Sequence, residues 1–352
     1  MKKATMAALA FAVCGSAGAQ SSVTVYGTVD LFVHSAKSGP TRVTRMDDGG
    51  NAASRLGFRG SEDLGGGLRA NFTLEAGLAG DTGAGTIPGP GLAFTRQASV
   101  GLSGAWGSVD MGRMYTPMFY ALLRADPFNL NTVYAPLSLI AAIDAQSGLT
   151  PFAARANNML RYRTPAGLPF VLDIAVAPGE SSGASKSSGN LYGGTIGWNG
   201  KPFYIGYGLQ KSRSGSAAAP VAHPTTTTYQ SIDASVAITP TLRLSANYIR
   251  NSLDVATTPT AKFINVGLEW NAASTSRVLA GVTERKVDGT PRGQFLWTLG
   301  YDHYLSKRTA VYARWVSLDN RSNASVSFAG VPVVVDSGHG VRSIGVGIRH
   351  HF

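Results

Sequence analysis

The stretch Ser54–Leu78, SRLGFRGSEDLGGGLRANFTLEAGL, constrains the chain more than any other. From Ser54 to Ser61 the residues alternate strictly: Leu56 and Phe58 fall on one side, Arg55, Gly57 and Arg59 on the other. Side chains of a strand have a period of two, so this segment has one apolar face and one strongly basic face. Glu62-Asp63-Leu64 and three glycines follow, and glycine's access to positive φ lets the chain reverse there. Leu68, Ala70, Phe72 and Leu74 then alternate with Arg69, Asn71, Thr73 and Glu75. The stretch is a β-hairpin with one greasy and one polar face. A sandwich would bury the greasy face against a second sheet. A membrane barrel would show it to lipid and turn the arginines into a wet lumen.

The rest of the chain separates these two folds. Alternating segments run over 22–35, 54–63, 68–79, 95–105, 108–116, 157–165, 169–180, 190–199, 202–213, 228–239, 241–253, 262–271, 277–287, 293–305, 309–320 and 342–352, about sixteen strands. Their connections alternate in length. Short ones fall at 65–67, 106–107, 166–168, 199–200, 239–240, 272–276 and 306–308, and long ones at 36–53, 80–94, 117–156, 181–189, 214–227, 254–261, 288–292 and 321–341. Short turns at one end and long loops at the other predict an all-β fold, a 16-stranded antiparallel up-and-down transmembrane β-barrel. Greek-key crossings give no reason for such alternation, and no repeated blade motif suggests a propeller.

The amino terminus agrees. Lys2 and Lys3 precede an apolar run at Ala7–Val13 and the small residues Ala17-Gly18-Ala19. This pattern predicts a secretory leader over 1–19, with 20–352 as one barrel domain. The lipoprotein alternative at Cys14 has the wrong preceding residue, Val13. Cys14 is the one cysteine of the chain, so the exported part must hold together without disulfides. Hydrophobic residues make up 44% and no later run of 18 apolar residues exists, which excludes transmembrane helices and leaves spanning strands open. The net charge of +11 is spread through the chain; a nucleic-acid arm would be clustered, so no nucleic-acid partner is expected.

Several segments carry a resemblance: SSVTVYGTVD at 21–30, SRLGFRGSEDLGGGLRANFTLE at 54–75, RQASVGL at 96–102, GSVDMGRMYTP at 107–117, GYDHYLSKRTAVYA at 300–313 and VGIRHHF at 346–352. The chain resembles the trimeric general porins of β-proteobacterial outer membranes, from end to end except in the loops. The resemblance implies a homotrimer in which the third long loop folds inward and narrows each channel. It also implies that the terminal aromatic Phe352 is the signal read by the outer-membrane assembly machinery. The last strand has its own reading: Ile344, Val346 and Ile348 alternate with Ser343, Gly345, Gly347, Arg349 and His351, so it closes the sheet against the first strand and removes both edges.

The chemistry is concentrated in arginine. Arg55, Arg59, Arg69, Arg96, Arg113, Arg161 and Arg163 crowd the early strands, and Arg161 and Arg163 share the face opposite Leu160 and Tyr162. An arginine facing lipid at mid-membrane costs about 2–4 kcal/mol, so these charges face water. A basic lumen with low-dielectric walls attracts anions. Arg55, Arg59 and Arg161 are the first candidates for the narrowest point. Arg96 breaks the parity of Ala98 and Val100, and a bulge would re-aim it. In the long loop 117–156, Pro117 suits a first helical position, MFYALLRA fits two turns, and Asp126-Pro127 stops them. Folded inward, the loop would set Asp126 and Asp144 opposite the arginines.

No HExxH spacing, nucleophile elbow or phosphate-cradling loop is present, so no cofactor, metal or catalysis is expected. The expected function is passive diffusion of small hydrophilic solutes and ions, with anions favoured, and with lipid around the barrel. A channel specific for one organic anion and an outer-membrane barrel enzyme are the alternatives.

Overall fold

The computed structural model describes residues 22–86, 93–141, 151–255, 259–327 and 330–352; the expected leader and Asp144 lie outside them. The wall is a closed antiparallel barrel of sixteen strands. In chain order they are β1 (Ser22–Ser38), β2, β3 (Leu68–Ala79), β4 (Gln97–Gly104), β5 (Gly107–Tyr115), β6 (Arg155–Arg163), β7 (Phe170–Ala177) and β8 (Leu191–Gly200). The second half holds β9 (Phe203–Arg213), β10 (Thr226–Ala237), β11 (Leu242–Leu253), β12 (Ala261–Ala273), β13 (Ser276–Val287), β14 (Gly293–Tyr304), β15 (Thr309–Arg321) and β16 (Val341–His351). β2 consists of two pieces, Thr41–Asp48 and Arg55–Gly65, lying end to end along one edge of β1. A short ribbon, Ala84–Gly85, pairs with the end of β3.

Closure comes from the other edge of β1, which pairs with β16 from Thr28↔His351 to Lys37↔Arg342. Phe352 continues this pairing: its N–H donates to Gly27 O and its carbonyl accepts from Gly27 N, each at 3.2 Å. No sheet edge is left between the two chain ends. The alternation read from sequence appears in the wall. Val23, Val25 and Val29 of β1, Phe203, Ile205 and Tyr207 of β9, and Ile344, Val346 and Ile348 of β16 are exposed on the outside. Gly65, Gly66 and Gly67 all have positive φ in the first short turn, where a Cβ would be strained.

The first long connection corrects the sequence reading. Residues 41–48, expected as loop, are strand, so the hairpin of β1 and β2 continues up to the pair Ser38↔Thr41. TRVTRMDD has no apolar alternation to read. The segment between the two pieces of β2 leaves the wall and turns inward. The Asn51 and Ala52 N–H groups both donate to Asp30 Oδ2, at 2.8 and 2.5 Å.

The third long connection folds as expected at its start. α1 spans Pro117–Arg124, with Pro at its first turn and Ala125 as C-cap; a 3-10 turn follows at Pro136–Ala141. This segment packs against inward-facing wall residues. Gln210 Nε2 donates to Ala153 O at 2.9 Å, Tyr229 OH to Ile140 O at 3.3 Å, and Tyr134 OH lies 3.3 Å from Ser343 Oγ. The wall makes room with glycine: a Cβ at Gly267 would stand 2.6 Å from Pro127 Cδ, and one at Gly281 would stand 2.4 Å from Pro136 Cγ. Met118, Leu122, Tyr134, Leu137 and Leu139 are buried there with Phe32, Ile249 and Leu296 of the wall.

Candidate functional site

Four arginines from separate parts of the chain converge on one lumenal cavity of about 430 Å³: Arg55, Arg96, Arg155 and Arg349. Arg55 opens the lower piece of β2, on the inward parity of its partner Thr28. Arg349 comes from β16 on the same parity as the buried Ser343. Arg155 is the first residue of β6, directly opposite Tyr115. Arg96 stands one residue before β4, where the strand alternation has not begun. Its N–H donates to Glu75 O at 3.0 Å, and its side chain turns inward. The bulge in this region lies on the neighbouring strand, between Gly112 and Met114.

Hydrogen bonds fix the cluster. Arg96 Nε donates to Glu75 Oε1 at 2.7 Å, and both Arg96 and Arg155 donate to the Tyr115 hydroxyl. The Arg155 guanidinium also stacks over the Tyr115 ring, 4.2 Å from its centroid. Arg349 Nη1 donates to Asn51 Oδ1 at 2.9 Å. The same Asn51 donates to Asp302, its backbone is held by Asp30, and Tyr312 donates to Asp30. The inward bend of β2 is therefore the bracket that holds Arg349. Among the described residues, Arg155 Nε and Arg349 Nε are buried without a hydrogen-bond partner. Among the described residues Glu75 is the one carboxylate of this lining, and Arg96 holds it. The opposite side is Phe119, Tyr120, Leu123 and Leu130 of the third loop. The arrangement offers guanidinium groups and an apolar face, with no acid from the loop among the described residues.

The other candidates from the sequence lie elsewhere. Arg59 shares the inward parity of Arg55, four residues nearer the short-turn end, over the Tyr26 ring. Arg163 is exposed near that same end and paired with Asp110 at 2.8 Å. Arg161 is 3% exposed; its guanidinium grips Asp173 through Nε at 2.7 Å and through Nη2, and donates to Tyr115 O. It is a neutralised latch beneath α1, with Tyr120 stacked on it at 4.5 Å. Arg113 donates to Thr95 O and Asn157 Oδ1 and lines a second cavity of about 650 Å³ shared with Arg155. Asp126 is 2% exposed and does not stand opposite the arginines: it accepts from the Phe128 and Leu130 N–H groups within its own loop. Burial pushes its carboxyl up to about 6, against those hydrogen bonds. Sequence reasoning missed Arg155, placed in a loop, and passed over Arg349, whose inward parity was visible.

The sequence profile of Gram-negative porins matches residues 4–323. The chain belongs to the Gram-negative porin family. Outer membrane porin protein 32 of Delftia acidovorans is 30% identical over 365 residues, covering the whole of both chains. The porin's fold matches the anion-selective porin from Comamonas acidovorans with a TM-score of 0.81 at 27% identity, over 95% of this chain and 100% of that one. The trimer form of Vibrio cholerae OmpT shares the fold at a TM-score of 0.67 and 15% identity, over 94% of this chain and 99% of the other. The protein is an outer-membrane porin.

Proposed function

We propose that the channel is anion-selective and that its discriminating point is the cavity between Arg55, Arg96, Arg155, Arg349 and the third loop. The observation that carries this reading is the charge count of the lining among the described residues: four arginines against one carboxylate that is already paired. A permeating anion meets guanidinium groups focused by low-dielectric walls, and a cation meets repulsion that no unpaired acid among the described lining residues offsets. The loop narrows the path at that height, with Phe119, Leu123 and Leu130 as its face. The anion selectivity named for the Comamonas acidovorans relative supports the same assignment. The reading includes passive flux of small hydrophilic solutes, no catalytic step, a leader over residues 1–19, assembly through Phe352 and a homotrimer. The test is swelling of proteoliposomes in uncharged, anionic and cationic solutes of one size. Faster entry of the anion supports the assignment, and faster entry of the cation contradicts it.

The apolar side of the cavity favours one second reading, a channel that retains an organic anion long enough to saturate. Concentration-dependent block of chloride current by a single carboxylate would distinguish it.

A further inference from the structure

Helix α1 shows an apolar face to the channel that its packing does not need. Met118, Ala121 and Leu122 are each 0% exposed, on the side that meets the wall. Glycine makes room for that side: a Cβ at Gly208 of β9 would stand 3.2 Å from Met118 Cγ. At about 100° per residue, Phe119, Tyr120 and Leu123 fall on the opposite side of the helix. A helix packed by one stripe normally turns polar residues to water. Here the half-buried Phe119, Tyr120 and Leu123 line the cavity instead, with Leu130 beside them.

Flat π-surface and guanidinium are already stacked on each other at this face. Tyr115, where the third loop begins, stacks on Phe119 with ring centroids 4.2 Å apart and planes 21° apart. Tyr120 stands edge-on to both, at 5.9 and 5.7 Å. The Arg155 guanidinium lies over the Tyr115 ring at 4.2 Å, and Arg96 and Arg155 both donate to its hydroxyl. Arginine forks match a carboxylate with two parallel hydrogen bonds. Aromatic rings pair through offset-stacked or edge-on contacts that an aliphatic chain lacks. The cavity volume of about 430 Å³ suits a small organic molecule, whose sites span about 300–1,000 Å³.

We propose that this cavity is a subsite for planar aromatic carboxylates of the benzoate class, which it retains more tightly than aliphatic carboxylates of the same charge. The proposal rests on the anion-selective reading of the cavity and names the solute that uses both of its sides. The guanidinium groups take the carboxylate, and the ring packs on Phe119 and Tyr120. Chloride gains from the arginines alone, and a neutral ring from the apolar face alone. The face lies inside the wall, out of reach of lipid and of a second chain, so its occupant is a solute in transit.

The test places the full protein in planar bilayers at neutral pH and reads block of the chloride current by benzoate, cyclohexanecarboxylate, acetate or the neutral benzamide. Benzoate should halve the current at roughly one tenth of the acetate concentration. It should act at about one third of the concentration of cyclohexanecarboxylate, which has similar bulk without a flat ring. Benzamide should not block. Phe119→Leu keeps an apolar side chain without the ring and should erase the advantage of benzoate over cyclohexanecarboxylate; Tyr207→Leu, on the outer wall, should keep it. Equal block by benzoate and acetate overturns the proposal, as does block by benzamide at the benzoate concentration or an undiminished advantage in Phe119→Leu. If Phe119→Leu fails to assemble, benzoate against cyclohexanecarboxylate on the unaltered channel decides, and equal block overturns the aromatic assignment. Zero-current potentials in the same membranes under a KCl gradient separate the two levels. Chloride preference with equal block by all three carboxylates sinks this proposal alone, and potassium preference sinks the anion-selective reading with it.

Discussion

Replacing Arg155 by glutamine should weaken anion preference, whereas replacing the Arg161–Asp173 pair by Gln and Asn should hardly touch it. Both changes remove an arginine from β6, and only the surroundings differ. Arg155 lines the cavity, and its Nε has no acceptor among the described residues. Arg161 is covered and spends its charge on Asp173. A chloride passing about 5 Å from a guanidinium gains roughly 0.8 kcal/mol in a watery pore. Screening over about 8 Å roughly halves this at physiological salt. The effect has the opposite sign for a cation, so the ratio of chloride to potassium permeability shifts by about 1–1.6 kcal/mol, or roughly fivefold to fifteenfold. The paired replacement leaves the net charge unchanged and should shift the ratio less than about twofold. Arg161→Gln alone leaves Asp173 buried without its partner and should cost about 3–5 kcal/mol of stability. Zero-current potentials across planar bilayers in a KCl gradient give the ratios, and thermal unfolding gives the stability. Equal selectivity loss from Arg155→Gln and from the paired replacement would refute the reasoning, because wall charge would then act regardless of burial.

Other consequences can be measured separately. Asn51→Ala removes the acceptor of Arg349 and leaves Asp302 without that donor; it should lower unfolding stability by about 1–3 kcal/mol and broaden the single-channel current distribution. Deleting Phe352 removes the last two hydrogen bonds of closure and the ring packed on Gly27, so heat-resistant assembled protein should fall while export continues; normal amounts of assembled protein would argue against this role. A cysteine at Leu123, in the cavity lining, should react slowly with bulky thiol reagents and reduce conductance once modified. Asp126 is held neutral by burial up to about pH 6, above its unfolded value of about 3.9. The folded loop therefore binds the proton more tightly, and its stability is greatest below about pH 4 and declines as pH rises to about 6. The protection of amides at residues 125–135, with the intrinsic exchange rate at each pH divided out, should fall across that window, and Asp126→Asn should abolish that fall.

How much the sequence revealed follows the bilayer. Strand residues that face lipid must be apolar at every second position, which made β9, β12, β14 and β16 readable. The outward positions of the Thr41–Asp48 piece are Arg42, Thr44, Met46 and Asp48, with one apolar residue among them, so it read as loop. Parity sets Arg55 and Arg59 on one face, and the register of β2 against β1 aligns them with Thr28 and Thr24. Parity could not reveal that Arg161 finds Asp173 across the next hairpin, since pairing across strands depends on register. Arg155 escaped because its strand begins just as the third loop returns. Arg349 was legible by parity, but its role depends on the Asn51 bend, a tertiary arrangement with no local signature. Asp126 looked like a pore carboxylate because its residue type is polar; its own loop's N–H groups claim it instead.

The central claim is that the lumen discriminates by positive charge at one constriction. The zero-current potential of the unaltered channel under a tenfold KCl gradient tests it most directly. The cavity lining predicts a potential on the chloride side of zero that shrinks as total salt rises and the charges are screened. A potential on the potassium side, or one indifferent to salt, would contradict the account.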